Sequence, residues 1–288
     1  MTDLRVSLCI LCHDRPDDLV RAVASAPGFN EVVVCDMAST PPLTPPPGVE
    51  FLRSDENLGV ARGRNLLTDR ATGDVVVFLD DDAVFASGAD APTAAATIRA
   101  AFAADPALAA VAFRVERGDG HVESSEFPFR GAPRDLPRCE CTYFVGCGVA
   151  IRRDAYRAAG GFDDRYGYST EELDLSFAML GNGGHLVYDP AVTVVHRPSP
   201  RGRAPAPHIP ALRLRNRLFL VRRHLLVPIA VVHATVWGAR TFREALRVHG
   251  LREWCGAWRD GLRLPVDRRP LPFRQLRAVH RNGGRVWW

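Results

Sequence analysis

Lysine is absent from this 288-residue chain, so all 37 of its basic residues are arginine, a bias that genome composition alone can account for. A disulfide framework is missing too. The seven cysteines, Cys9, Cys12, Cys35, Cys139, Cys141, Cys147 and Cys255, are odd in number, and three lie in apolar runs, which is the pattern of reduced thiols. Cys139, Cys141 and Cys147 could offer three metal ligands, but no fourth stands at zinc-ribbon spacing, which argues against a structural zinc. The N-terminal MTDLRVSLCIL leads with an acid and lacks the basic region and cleavage-like site of a signal peptide, so the expected location is cytoplasmic. The apolar run between Arg223 and Arg240 is 16 residues long and contains His224, His233 and Pro228, too short and too interrupted to span a bilayer.

What is present is ordinary in amount and uneven in placement. Hydrophobic residues make up 47% and charged residues 24%, which suits a soluble globular chain with one sizeable core. The net charge of +4 hides a division: residues 197–288 hold 20 arginines against four acids, and the first 196 residues are correspondingly acidic. The two parts are expected to differ in role, as a catalytic domain over 1–200 and an Arg-rich helical extension over 201–288.

Apolar runs at 6–11, 31–35, 49–53 and 74–79 read as strands. A helix capped by Asp14, with Pro16, Asp17 and Asp18 in its first turn, separates the first pair, and a helix near 59–71 separates the last. All-apolar strands spaced by helices predict an α/β fold, a doubly wound, mostly parallel sheet covered on both faces. Further on, an Ala-rich helix and the strand ALAAVAFRV precede an irregular stretch at 117–140. CTYFVGCGVAIRR (141–153) reads as one strand, with Gly146 and Gly148 permitting close approach by a backbone or ligand.

The fourth strand ends in Asp80, Asp81 and Asp82. Adjacent like charges repel and are not buried unpaired, so the triplet either sits on a solvated edge or faces a positive partner. Ligands of open α/β sheets bind at the carboxyl ends of the strands, where Asp36 also falls, at the end of the second. Asp80 and Asp82, two apart, point to one side and suit a hard divalent cation.

Six segments, in order over about residues 5–200, resemble family 2 glycosyltransferases: VSLCILCHDRP, EVVVCDMAST, DENLGVARGRNLL, VVVFLDDDAVF, GGFDDRYGYSTEELDL and VTVVHRPS. The resemblance implies a GT-A fold and metal-dependent, inverting transfer of a sugar from a nucleotide-diphosphosugar to an acceptor hydroxyl. It implies that Asp82, Asp80 and His196 hold Mn²⁺ or Mg²⁺. It places Cys12, His13, Arg15, Asp36, Arg64, Asn65, Asp80 and Asp81 around the donor. Glu172 takes the place of the second acid of the family's ED pair, as general base, with Glu171 and Asp174 beside it. The family more often has Asp there, and the extra methylene moves the carboxylate by about 1.5 Å. Leu11, Cys12 and His13 also depart from the common Pro, Thr and Tyr.

Plainer readings stand beside these. Asp36 could cap a strand end, His196 could merely finish one, Arg64 could be a solvated helix charge, and acids favour a helix N-terminus anyway. A nucleotidyltransferase of related fold would need a basic Gly-rich loop that CILCHDRPDD lacks, and a non-catalytic sugar-nucleotide or polyanion binder is the other alternative. The implied acceptor is a glycan, lipid-linked or small natural-product hydroxyl. The C-terminal third, with Trp237, Trp254, Trp258, Trp287 and Trp288 among its arginines, reads either as an amphipathic surface for an anionic membrane's inner face or as an appendage packed on the domain with its arginines solvated. No interleaved stacking motif supports nucleic-acid binding.

Overall fold

The computed structural model describes residues 4–86, 93–167, 169–198 and 206–284. Trp287, Trp288 and residues 199–205 fall outside them. Strands β1 (Val6–Cys12), β2 (Glu31–Met37), β3 (Glu50–Ser54) and β4 (Val75–Asp80) form a parallel half-sheet in the order β3-β2-β1-β4. It continues through β8 (Gly148–Arg152), β6 (Leu108–Glu116), β9 (His185–His196) and β5 (Ala83–Phe85), with β7 (Cys139–Cys141) also on β9. Strands β8, β7 and β5 run against the rest, so the sheet is mostly parallel, as the sequence pattern implies.

Alternate residues of each central strand serve opposite faces. Leu8, Ile10, Val77 and Leu79 pack under α1 (Pro16–Ala24) and α3 (Ala94–Ala104), while Cys9, Val76 and Phe78 pack under α2 (Gly59–Arg70), α4 (Arg153–Ala159) and α5 (Glu171–Gly181). Two local readings need correction. Asp14 does not cap α1: it has φ 57°, its carboxylate accepts from the Thr40 amide, and Arg15 precedes Pro16 as the N-cap. Residues 141–153 are not one strand, because β7 ends at Cys141 and a turn carries the chain to β8. Further along, HLVYDP (185–190) and VTVVHR (192–197) contribute to one strand, β9, which loops out around Pro190, where Phe113 pairs with Asp189 but Arg114 with Thr193.

The C-terminal third folds into α6 (Ile209–His224), α7 (Val227–Arg247), α8 (Leu251–Arg263) and α9 (Phe273–Arg281). Phe219, Leu220, Leu225, Leu271 and Leu276 share a core with Tyr143, Tyr166, Leu173 and Phe177 of the preceding domain. Its arginines are not all solvated: Arg217 and Arg223 are buried. No helix among the described residues is long and apolar enough to cross a membrane.

Candidate active site

A crevice of about 580 Å³ opens at the carboxyl ends of β1 and β4. It brings together Cys12, His13, Arg15, Arg64, the aspartate triplet and His196. Each aspartate has a protein cation. Arg64, on α2, reaches Oδ1 of Asp80 at 3.0 Å and the Gly146 carbonyl at 2.8 Å. Arg15 reaches Oδ1 of Asp81 at 2.7 Å and Oδ2 of Asp82 at 3.1 Å. His196, at the end of β9, lies 3.2 Å from Oδ1 of Asp82. The turn from β4 to β5 holds the triplet, and Ala83 pairs with His196 across the β5–β9 ladder.

Burial drives the electrostatics. It pushes the Asp81 carboxyl up to about 6, against the attraction of Arg15. Burial also opposes charge on His196, but hydrogen bonding to Asp82, Cys147 and Glu126 outweighs it and takes the imidazole pKa up to about 12. The Cys147 thiol is pushed up to about 11 by burial, so it stays protonated at neutral pH.

Asp80, Cys147 and His196 present ligand atoms within 4.8 Å of one another, and Asp82 adjoins His196. Two carboxylates suit Mn²⁺ or Mg²⁺, as does an imidazole once a cation takes the place of its proton, whereas a soft thiol suits neither ion. The side chain of Asp80, 39% exposed, is the most open of the three consecutive aspartates, and those of Asp82 and His196 are largely enclosed. The donor set of Asp80, Asp82 and His196 fits the chemistry of a hard cation.

Other sequence candidates lie elsewhere. Asp36 is fully buried, accepts from the amides of Ser39 (2.9 Å) and Leu43 (3.2 Å), and pairs with Arg53. Burial alone would raise its pKa, but the bonds from Ser39 and Leu43 and the charge of Arg53 hold it below the usual carboxylate range. Asn65 braces the turn after α4, donating to the Phe162 carbonyl (2.9 Å) and accepting from the Phe162 amide (3.0 Å) and the Tyr156 hydroxyl. Asp174 is buried against the Tyr166 hydroxyl (2.8 Å), Arg223 (2.9 Å) and His224 (2.7 Å), so it ties α5 to α6.

Glu171 and Glu172 open α5 after Ser169 and Thr170, two consecutive non-glycine residues with φ of 58° and 84°. Such backbone costs about 1–3 kcal/mol per residue and clusters at functional sites. Asn216 on α6 steadies this turn, donating to the carbonyls of Tyr166 and Ser169 at 2.9 Å each. Burial, then repulsion from Glu172, lifts the Glu171 carboxyl well above the usual range, against the pull of Arg64. Burial disfavours charge on Arg64, but Asp80, Glu172 and Glu171 more than offset it, so one guanidinium sits in the field of both acid groups.

Sequence reasoning missed Glu126 and Arg117. Glu126 lies 2.9 Å from Nδ1 of His196 and 3.0 Å from Arg117. An acid in an irregular stretch carries no periodic signal, and only the folded register reveals it. It also missed Arg53, whose partner Asp36 stands on the neighbouring strand. Gly146 proves necessary for a different reason than ligand approach: a Cβ there would overlap the Arg64 guanidinium.

Known proteins can be compared with this geometry. The model of the family described as "Glycosyl transferase family 2" matches residues 7–160. A 108-residue segment, 37% of this chain, is 36% identical to N-acetylglucosaminyl-diphospho-decaprenol L-rhamnosyltransferase of Mycobacterium tuberculosis, covering 35% of that protein. Over 206 residues, 66% of this chain, there is 28% identity to the pre-mycofactocin glycosyltransferase of the same species, covering 42% of it. The chain thus spans well under half the length of these curated relatives. In structure it resembles S. aureus TarS 1–349, solved with UDP-GlcNAc, at a TM-score of 0.62 and 14% identity over 95% of this chain and 83% of that one. GalNAc-T7, solved with UDP, GalNAc and Mn²⁺, gives 0.61 and 16% over 83% and 52%. Both are likenesses of fold.

Proposed function

Because the chain belongs to glycosyl transferase family 2, and is a glycosyltransferase of GT-A fold, we propose that it transfers a sugar with inversion from a nucleotide-diphosphosugar to an acceptor hydroxyl, with a divalent cation. The bond from the anomeric carbon to the donor phosphate breaks, a bond to the acceptor oxygen forms, and the nucleoside diphosphate leaves. The observation that carries this reading is the meeting of Asp80, Asp82, Arg64 and His196 at one crevice beyond the carboxyl ends of β1 and β4. Asp80, Asp82 and His196 would hold Mn²⁺ or Mg²⁺. When bound, the cation neutralises charge on the departing diphosphate.

Within this reading His13, Arg15, Cys12 and Asp81 edge the donor site, and Asp36 and Asn65 support it through Arg53 and Phe162. Glu172 accepts the acceptor's proton. Glu171, kept protonated by burial and by its neighbour, leaves the Glu172 carboxylate as the base. One displacement needs one base, which is the chemical basis for inversion. The relatives' names support a lipid-linked or small natural-product acceptor, one naming a diphospho-decaprenol-linked sugar and the other pre-mycofactocin. Exposed Val227, Val231, Val232 and Phe242 on α7, within an arginine-rich third, support a peripheral seat on the inner, anionic face of a membrane.

A thermal-shift screen of UDP-, dTDP- and GDP-sugars with and without Mn²⁺ tests the reading, because a ligand of the native state raises its stability by mass action. One nucleotide series should raise the melting temperature only with Mn²⁺ present. No shift from any donor, or equal shifts with and without metal, would overturn it.

A further inference from the structure

A second cavity, of about 440 Å³, lies between the irregular stretch and the C-terminal helices. Its volume is within the range of small-molecule sites. Among the described residues, Arg130, Arg134, Arg213, Arg217 and Arg240 line it and no acidic residue does. Glu244 stands behind two of them, shared between Arg213 at 3.0 Å and Arg240 at 3.4 Å. The guanidiniums of Arg217 and Arg240 lie 4.3 Å and 5.0 Å from the Trp237 ring centre, so they are held in place before any ligand arrives.

Among the described residues, two donors at this cavity have no acceptor. Nε1 of Trp237, a residue 7% exposed, and Nη1 of Arg134 are buried without a hydrogen-bond partner. Buried polar atoms are rarely left so, and here both are donors in a concentration of positive charge. Planar guanidiniums match the paired oxygens of phosphates better than any single cation does.

The cavity also has a position. Gly167 lines the donor crevice and Ser169 lines the arginine cavity, so the strained turn that presents Glu171 and Glu172 runs between the two. We propose that the arginine cavity binds the diphosphate group of an anionic acceptor and so sets the acceptor's hydroxyl at Glu172. The acceptor part of this inference rests on the sugar-transfer reading, whereas the anion site does not.

The test is calorimetric titration of inorganic pyrophosphate into the full chain with a chelator present, so that binding through a cation at the aspartates is excluded. The wild-type protein should bind, and Asp80→Asn should bind equally. Arg134→Gln and Trp237→Phe should each bind about tenfold more weakly, the worth of one charge-assisted hydrogen bond. Glu244→Gln should bind more tightly, since it releases Arg213 and Arg240; a merely structural Glu244 would give the opposite sign, and thermal melts would show any loss of folding. Farnesyl diphosphate in detergent separates the sources. Tighter binding than pyrophosphate assigns a lipid-linked diphosphate, and equal binding a water-soluble one, provided the same variants weaken both. No pyrophosphate binding, or binding indifferent to Arg134, Trp237 and Glu244, overturns the inference. That result beside metal-dependent donor binding would leave the transferase reading intact, while variant-sensitive pyrophosphate binding without donor binding would do the reverse.

Discussion

Nε2 of His196 lies 3.2 Å from Oδ1 of Asp82 across 114 residues of sequence, and its other ring nitrogen lies 2.9 Å from Glu126. One imidazole therefore joins the turn after β4, the end of β9 and the irregular stretch. If Asp82 and His196 share a cation, Asp82→Ala should remove metal-dependent donor binding and His196→Ala should weaken it. Calorimetric titration of the donor with and without Mn²⁺ reads both; unchanged metal-dependent binding in the two variants would rule out this site.

Glu172→Gln keeps size and hydrogen bonding but cannot take a proton. Transfer should fall by about 10²–10⁴, the usual worth of a positioned base, with donor affinity nearly unchanged. Glu171→Gln, which mimics the protonated group, should fall far less. If instead Glu171→Gln is the inactive variant and Glu172→Gln turns over, the roles are exchanged.

The raised pKa of Glu171 has a signature in stability. A carboxyl raised in the folded state binds more protons folded than unfolded between its two pKa values, so its contribution is present at low pH and lost as pH climbs through that window. Thermal melts from about pH 5 to about pH 9 should show the wild-type protein losing stability relative to Glu171→Gln as pH rises. A pH-independent difference would contradict the buried, protonated assignment.

Asp174 should behave as a support. Asp174→Ala leaves Arg223 and His224 short of a buried partner, for which a loss of about 3–5 kcal/mol is typical. Chemical denaturation and limited proteolysis should show a destabilised chain cut first in the C-terminal helices, while the surviving fold still transfers sugar at low temperature. Full stability with no transfer would instead return Asp174 to the chemistry.

If the arginine-rich third docks on anionic lipid, sedimentation with phosphatidylglycerol vesicles should be strong and fall steeply with salt, because the attraction is screened. Equal partitioning to neutral and anionic vesicles, or none to either, would leave only the packed role seen for α6 and α9.

The parallel half-sheet and the acidic strand end were legible because local pattern determines them: all-apolar runs make buried parallel strands, and charge can follow such a run only at its end. Roles set by distant partners were not legible. Asn65 is bound to Phe162, 97 residues away, and Asp174 to His224, 50 residues away. Asp174 reads locally as a helix-opening acid, and nothing nearby in sequence shows that α6 will supply its partners. The turn at Gly146 was hidden likewise, since its demand for glycine comes from the Arg64 side chain on another element.

Strand β9, the last of the described strands, pairs with β6, β7 and β5 and carries His196. On a ribosome, β5 and β7, three residues each, wait without a strand partner until β9 is made. Four parallel strands can assemble early, but the acidic end of the sheet stays open until residue 196 has left the exit tunnel. Arginine-rich helices then follow an acidic domain that has just been completed, and the charge difference between early and late chain favours their docking over premature pairing. The crevice is therefore completed only when β9 arrives, and a nascent chain cut short before it leaves β6 as an unpaired edge, the kind of surface on which chains aggregate.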